Sequence, residues 1–256
     1  IDGTLYTYAG DYMLGESIKG YARETDDGQT LVWRKPWKNQ MVTIAAENIL
    51  SVSQTSLKYQ EEGKEKRASL LPATAFIYNG RAYSRYRAED FKIANGQVIL
   101  LDNNDDGTCE VALVEESDIL FVKKIDRQKK ILYGANGEKP IDLSGEGLEY
   151  TVSGAAAAFG EIMADQVVNC FQSKDGELLR LAVTAEIVSG KVAAVNYNER
   201  SLKLGEQEYF YNSYFENNYL TGLTVGQEID VALDRDGKLT ALADKTSRME
   251  YGLLIK

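Results

Sequence analysis

The sequence predicts an all-β fold: consecutive small β-barrel or sandwich-like modules built from hairpins and joined by short helical linkers. Three observations carry this prediction. A strand–turn–strand motif recurs along the chain, Asp-Gly pairs mark its tips, and apolar residues alternate with polar ones along its strands.

The clearest copy of the motif is Gly226 to Ala243, GQEIDVALDRDGKLTALA. Asp165 to Ala182, DQVVNCFQSKDGELLRLA, aligns with it without gaps at an offset of 61, placing Asp175-Gly176 on Asp236-Gly237. Gly96 to Leu113, GQVILLDNNDDGTCEVAL, follows at an offset of 130. A weaker copy, Gly15 to Trp33, needs about two inserted residues to fit. Asp-Gly supplies the positive φ that tight hairpin turns require. Ile229, Val231 and Leu233 alternate with Glu228, Asp230 and Ala232, which gives one buried face per strand. Short strands with regular turn signals indicate sandwiches or barrels, not a parallel sheet.

The residues ahead of each hairpin recur as well. Val122 to Leu132 and Val192 to Leu204 each read as strand, polar turn, strand. Linkers of short helical character follow at Tyr83 to Phe91, Ala155 to Ala164 and Tyr214 to Leu220. The predicted organisation is an incomplete N-terminal β-unit at 1–47 and β-modules at 48–118, 119–186 and 187–245. Residues 246–256 begin a further strand or a tail. No Pro-rich or Gly/Ser-rich linker separates the modules, so the sequence predicts a semi-rigid rod. Modules this small gain from packing against their neighbours.

Ala75 to Glu116, AFIYNGRAYSRYRAEDFKIANGQVILLDNNDDGTCEVALVEE, resembles a region of clostridial proteins that carry S-layer homology domains. There too an IYNG strand leads through an acidic, helix-like linker into a DG hairpin. The GQEIDVALDRDGKLTAL stretch and the opening MLGESIKGYARETDDGQTLVW resemble β-modules of the same proteins. The resemblance implies a segment of a secreted Gram-positive cell-surface protein, outside the cell at the wall. The S-layer homology domains that would anchor such a protein are not in this sequence.

Composition excludes several functions. The net charge of -10 opposes nucleic acid and anionic lipid. With no histidine, Ser-His-Asp and Cys-His catalysis and imidazole metal sites are out of reach. No apolar run approaches the length of a membrane span. The chain starts at Ile1 without a visible signal peptide, as expected of an excised or mature piece.

The sharpest candidate site is Asp102-Asn103-Asn104-Asp105-Asp106-Gly107. Asp102, Asn104 and Asp106 occupy the first, third and fifth places of a calcium-type loop. The twelfth place holds Leu113 where a bidentate acid belongs, and the flanks read as strands. Glu110, from the ninth place, could substitute. The competing reading is a hairpin tip whose Asn and Asp side chains cap their own backbone. Cys109 and Cys170 fall on the apolar positions Leu239 and Val231 of the last copy, which predicts two reduced, buried thiols. Tyr209, Phe210, Tyr211, Tyr214, Phe215 and Tyr219, with Trp33 and Trp37, are read either as sugar-stacking rings or as packing. Glu61 to Arg67 reads as a solvated hairpin tip. Glu115 and Glu116, on opposite faces of a strand, make a poor two-carboxylate site.

The function expected is a non-catalytic spacer in a cell-surface protein, the alternative being an extracellular glycan- or calcium-binding module. No cofactor is expected, with calcium the one candidate ion. The expected partners are neighbouring domains of the same longer chain, with cell-wall glycan or other surface proteins as candidates. Nucleic acid and a membrane span are not expected.

Overall fold

A computed structural model describes residues 40–145, 148–152 and 155–243, Glu149 by its backbone alone. It also gives the backbone of β1 (Tyr6–Thr7), β2 (Lys19–Thr25) and β3 (Gly28–Lys35). The side chain of Trp33, the residues Asp26, Asp27 and Trp37, and the strand expected within 246–256 lie outside the described residues. Strand dominates, as the alternation predicts, and the one α-helix among the described residues is α1 (Ser213–Asn218). Among the described residues, no helix is long and apolar enough to cross a membrane. The chain divides into two compact units, Ile1–Glu116 and Ser117–Lys256.

In the first unit β2 and β3 form an antiparallel hairpin, and β1 lies parallel to β3. The second sheet runs β4 (Gln40–Ala45), β9 (Gly96–Asp102), β10 (Thr108–Glu116), β7 (Lys64–Tyr78), β6 (Ser56–Glu61), β5 (Ile49–Ser53), with β8 (Arg81–Tyr83) on β7. β7 is long enough to serve two partners. Residues 64–69 pair antiparallel with β6, and residues 69–78 pair parallel with β10. The predicted tip at 61–67 is a tight turn in which Glu62 and Gly63 both take positive φ, 50° and 74°. The sheet curls over a core that includes Ile44, Leu57, Leu100 and Val114. Phe91 sits at its centre, with ring centroids 5.4 Å from both Phe76 and Tyr86.

The boundary expected near residue 48 moves. β4 is paired along its whole length with β9, from Gln40↔Asp102 to Ala45↔Gln97. A single 3-10 turn, Ala46–Asn48, then redirects the chain into β5. Residues 40–47 therefore belong to the module assigned to 48–118 and not to an N-terminal unit at 1–47. The turn breaks one strand in two, and from sequence the break looks like a boundary.

The second unit contains two successive modules. The first has strands β11 (Asp118–Asp126), β12 (Ile131–Gly134), β13 (Ile141–Asp142), β14 (Glu149–Val152), β15 (Ala155–Ala156), β16 (Val167–Gln172) and β17 (Leu179–Thr184), in the order β13-β12-β11-β16-β17-β14-β15. The next has β18 (Ile187–Asn196), β19 (Ser201–Leu204), β20 (Gln207–Phe210), β21 (Glu228–Leu233) and β22 (Leu239–Leu242), in the order β20-β19-β18-β21-β22.

One irregularity recurs in all three modules. Pairing skips a residue between Val122 and Lys124 of β11, and between Val192 and Ala194 of β18. The same skip falls between Ile49 and Ser51 of β5. A bulge bends and twists its strand. In β11 and β18 it lets one strand pair first with one neighbour and then with another. Asp126 and Asn196, at equivalent places, each accept N–H bonds from the second and third residues that follow them.

The hairpins at Asp175-Gly176 and Asp236-Gly237 share their register at the core: Cys170↔Leu181 matches Val231↔Leu242. Gly176 and Gly237 take φ of 74° and 75°. The copy at offset 130 agrees only in its second strand, where Cys109 and Leu239 both face a core. In its first strand the alignment is wrong by one residue. Leu101 opposes Val111 while Ala232 opposes Ala241, so the tip in the first unit is a residue longer. Such a slip exchanges faces. Leu100 enters the core, and Leu101 joins Ile77, Ile99, Val111 and Leu113 on the other side of the sheet.

Candidate metal centre and polar clusters

Asp102 ends β9 and turns its carboxylate back over the hairpin tip. Its Oδ1 accepts from the N–H groups of Asn104 (3.2 Å), Asp105 (2.7 Å) and Asp106 (3.3 Å), and its Oδ2 from that of Gly107 (2.7 Å). Positive φ at Asp105 (64°) and Gly107 (86°) aims these N–H groups inward. Burial alone would raise the Asp102 pKa. The N–H groups of Gly107, Asp105, Asn104 and Asp106 outweigh it and hold the carboxyl below its ordinary value.

The neighbouring side chains are committed in the same way. Asn104 Oδ1 accepts from the Asp106 N–H (2.9 Å), and Asp106 Oδ1 from the Thr108 N–H (2.9 Å). Glu110 accepts from the Asn103 N–H (2.7 Å) and from Asn104 Nδ2 (2.9 Å). Asp102, Asp106 and Glu110 each offer a carboxylate oxygen within 4.8 Å of the others. The fold thus brings the substitute ligand Glu110 to the site, while Leu113 of the twelfth place lies in the apolar cluster behind the sheet. A cation here would share oxygens that already cap backbone N–H groups. Offering one oxygen each, the three carboxylates fall short of the six to eight oxygens calcium prefers.

The aromatic stretch packs inward. Tyr211, Tyr214 and Phe215 are buried and Tyr209 and Tyr219 half-buried; Phe210 alone of the six is exposed, at 57%. The cysteines are free and buried. Burial pushes the thiol of Cys109 up to about 11 and that of Cys170 to about 12, with nearby carboxylates adding to it. Glu115 bonds Gln97, whereas Glu116 meets Tyr78 and the Ala94 N–H, so the two carboxylates do not converge.

Two polar clusters were not foreseen. Asn212 caps α1 by accepting from the Phe215 N–H (3.0 Å), and its Nδ2 donates to Asp234 (2.8 Å) and Thr240 (2.7 Å) in the interior. Burial raises the pKa of Asp234, opposed by the Asn212 amide and by the N–H groups of Lys238 and Asp236. An Asn ahead of an apolar helical stretch is a capping signal available from sequence; its pairing with Asp234 is not. In the second cluster Asn136 Nδ2 donates to Tyr214 Oη (2.9 Å) and Tyr219 Oη (2.8 Å), and the Tyr214 hydroxyl donates to Glu138. Sequence carries no signal for a contact between residues so far apart.

A cleft of about 440 Å³ opens in the module of β11–β17, lined by Asp118, Glu138, Asp142, Cys170, Gln172 and Leu179 among others. Glu138 is held by Tyr214 and the Asn136 N–H, and Asp142 caps Ser144. Among the described residues, then, the polar clusters are spent largely on turns, caps and packing. What the fold defines is an all-β chain of several small, curled sheets. No protein-family model matches the chain, and no curated protein matches it.

Proposed function

We propose that this chain is a non-catalytic spacer of a secreted bacterial cell-surface protein, of the kind that carries S-layer homology domains, and that it acts at the wall outside the cell. The observation that carries this reading is the repetition of one bulged strand pair through three successive modules, in two of them in the same register about a four-residue turn. Repetition of a scaffold without repetition of a side-chain constellation is what a length-setting segment requires. The acidic surface and the absence of histidine are consistent with it.

A second reading, a weak extracellular calcium module, draws on the approach of Asp102, Asp106 and Glu110. Calorimetric titration of the chain with calcium and with soluble cell-wall glycan fragments separates the two. The spacer reading predicts no saturable heat from either. Saturable calcium binding lost in Asp106→Ala and Glu110→Gln would favour the second reading. Saturable glycan binding would replace both with a lectin-like role.

A further inference from the structure

The two modules of the second unit are built alike but do not offer their neighbours the same surface. In the module of β11–β17, Ile119, Phe121 and Val167 point away from its own core and are 7%, 3% and 0% exposed. They pack against Tyr214, Ala232 and Ala241 of the next module. Polar contacts extend this seam. Arg235 stacks over Phe171 at 5.0 Å, and its N–H donates to Asn169. The loop between β12 and β13, residues 135–140, supplies Asn136 and Glu138 to the hydroxyls of Tyr214 and Tyr219.

Strand register identifies the equivalent positions in the later module. Ile119↔Asn169 and Phe121↔Val167 of β11/β16 correspond to Ser189↔Asp230 and Lys191↔Glu228 of β18/β21. Where the earlier module presents Ile119, Phe121 and Val167, the later one presents Ser189, Lys191 and Glu228, all exposed. The latch loop is missing too, since β19 and β20 are joined by Gly205 and Glu206 alone. Two independent features of the acceptor surface are therefore absent together.

We infer that docking between these modules is directional: the module of β11–β17 is a specialised acceptor, and that of β18–β22 is closed to a further module at the same face. A repeat that ends a packed run needs a polar outer surface. Lys191 across from Glu228 provides one where Phe121 and Val167 would otherwise stand open to water. The same pair would leave two charges desolvated under an incoming apolar face, which opposes docking.

Covalent footprinting of the intact chain tests this, with an amine reagent for Lys191 and carbodiimide coupling for Glu228. The expected result is labelling of both at rates independent of protein concentration, and unchanged in any longer protein that contains the chain. Protection of either, rising with concentration or present in the longer protein, would overturn the inference by making this face an interface. A second arm transplants the charged pair onto the acceptor as Phe121→Lys with Val167→Glu. The joint thermal transition of residues 117–243 should resolve into two. If that variant fails to fold, Tyr214→Phe, which leaves every strand intact, reads the same coupling. A single transition in the variant that folds would refute the acceptor role.

Discussion

Replacing Asp102 by alanine isolates what the hairpin tip contributes without any ion. The carboxylate accepts four backbone N–H bonds at 2.7 to 3.3 Å. A net hydrogen bond is worth about 0.5–1.5 kcal/mol. Residues 104–107 are exposed or half-exposed, so water can re-solvate the freed N–H groups, and the lower end applies. Four such bonds give about 2 kcal/mol, within the range of strong caps. Chemical denaturation near neutral pH, with chelator present, should therefore show the first unit weakened by about 2 kcal/mol in Asp102→Ala. The sign with pH follows from the lowered pKa. The ionised form is favoured in the folded state, so the contribution is complete above the unfolded-state pKa and is lost as pH falls through the folded one. The gap between wild type and Asp102→Ala should thus close in strong acid. A variant as stable as wild type in chelator, but deprived of a calcium-dependent gain, would refute this account of the tip.

Other substitutions probe the rest of the framework. Gly96→Ala should cost about 3 kcal/mol or more, because φ is +121° and a Cβ would overlap the Glu115 carbonyl; equilibrium unfolding checks it. Asn212→Ala should cost about 3 kcal/mol, one part from the lost cap and the larger part from leaving Asp234 buried without that donor, read from the joint melting of residues 117–243. Cys109 and Cys170 should react with a thiol reagent only at the rate of unfolding near neutral pH, and both at once in denaturant; rapid labelling of either in the native chain would contradict their burial.

The sequence made the local geometry legible and left the long-range geometry hidden. Glu62-Gly63, Asp175-Gly176 and Asp236-Gly237 announce their turns because positive φ restricts what can stand there. Cys109 and Cys170 read as core because the residues aligned with them are apolar. The displacement of β9 did not show, since one extra residue in a polar tip leaves composition unchanged while exchanging Leu100 and Leu101 between faces. The parallel pairing of β7 with β10 joins strands far apart in sequence and has no turn to signal it. At the candidate site the residue types allowed either an ion or a hairpin tip that caps its own backbone, and the geometry directs their oxygens to backbone N–H groups, as the second reading has it.

The spacer reading holds that the span of these modules matters and their side chains do not form a site. Its most direct test is replacement, in the longer surface protein that this reading proposes, of residues 117–243 by an unrelated pair of β-modules of equal span. The account predicts that surface display and wall association are retained after replacement and impaired after simple deletion. Loss of either function in a replacement that folds and is secreted would contradict it, and would place a specific binding surface within these modules.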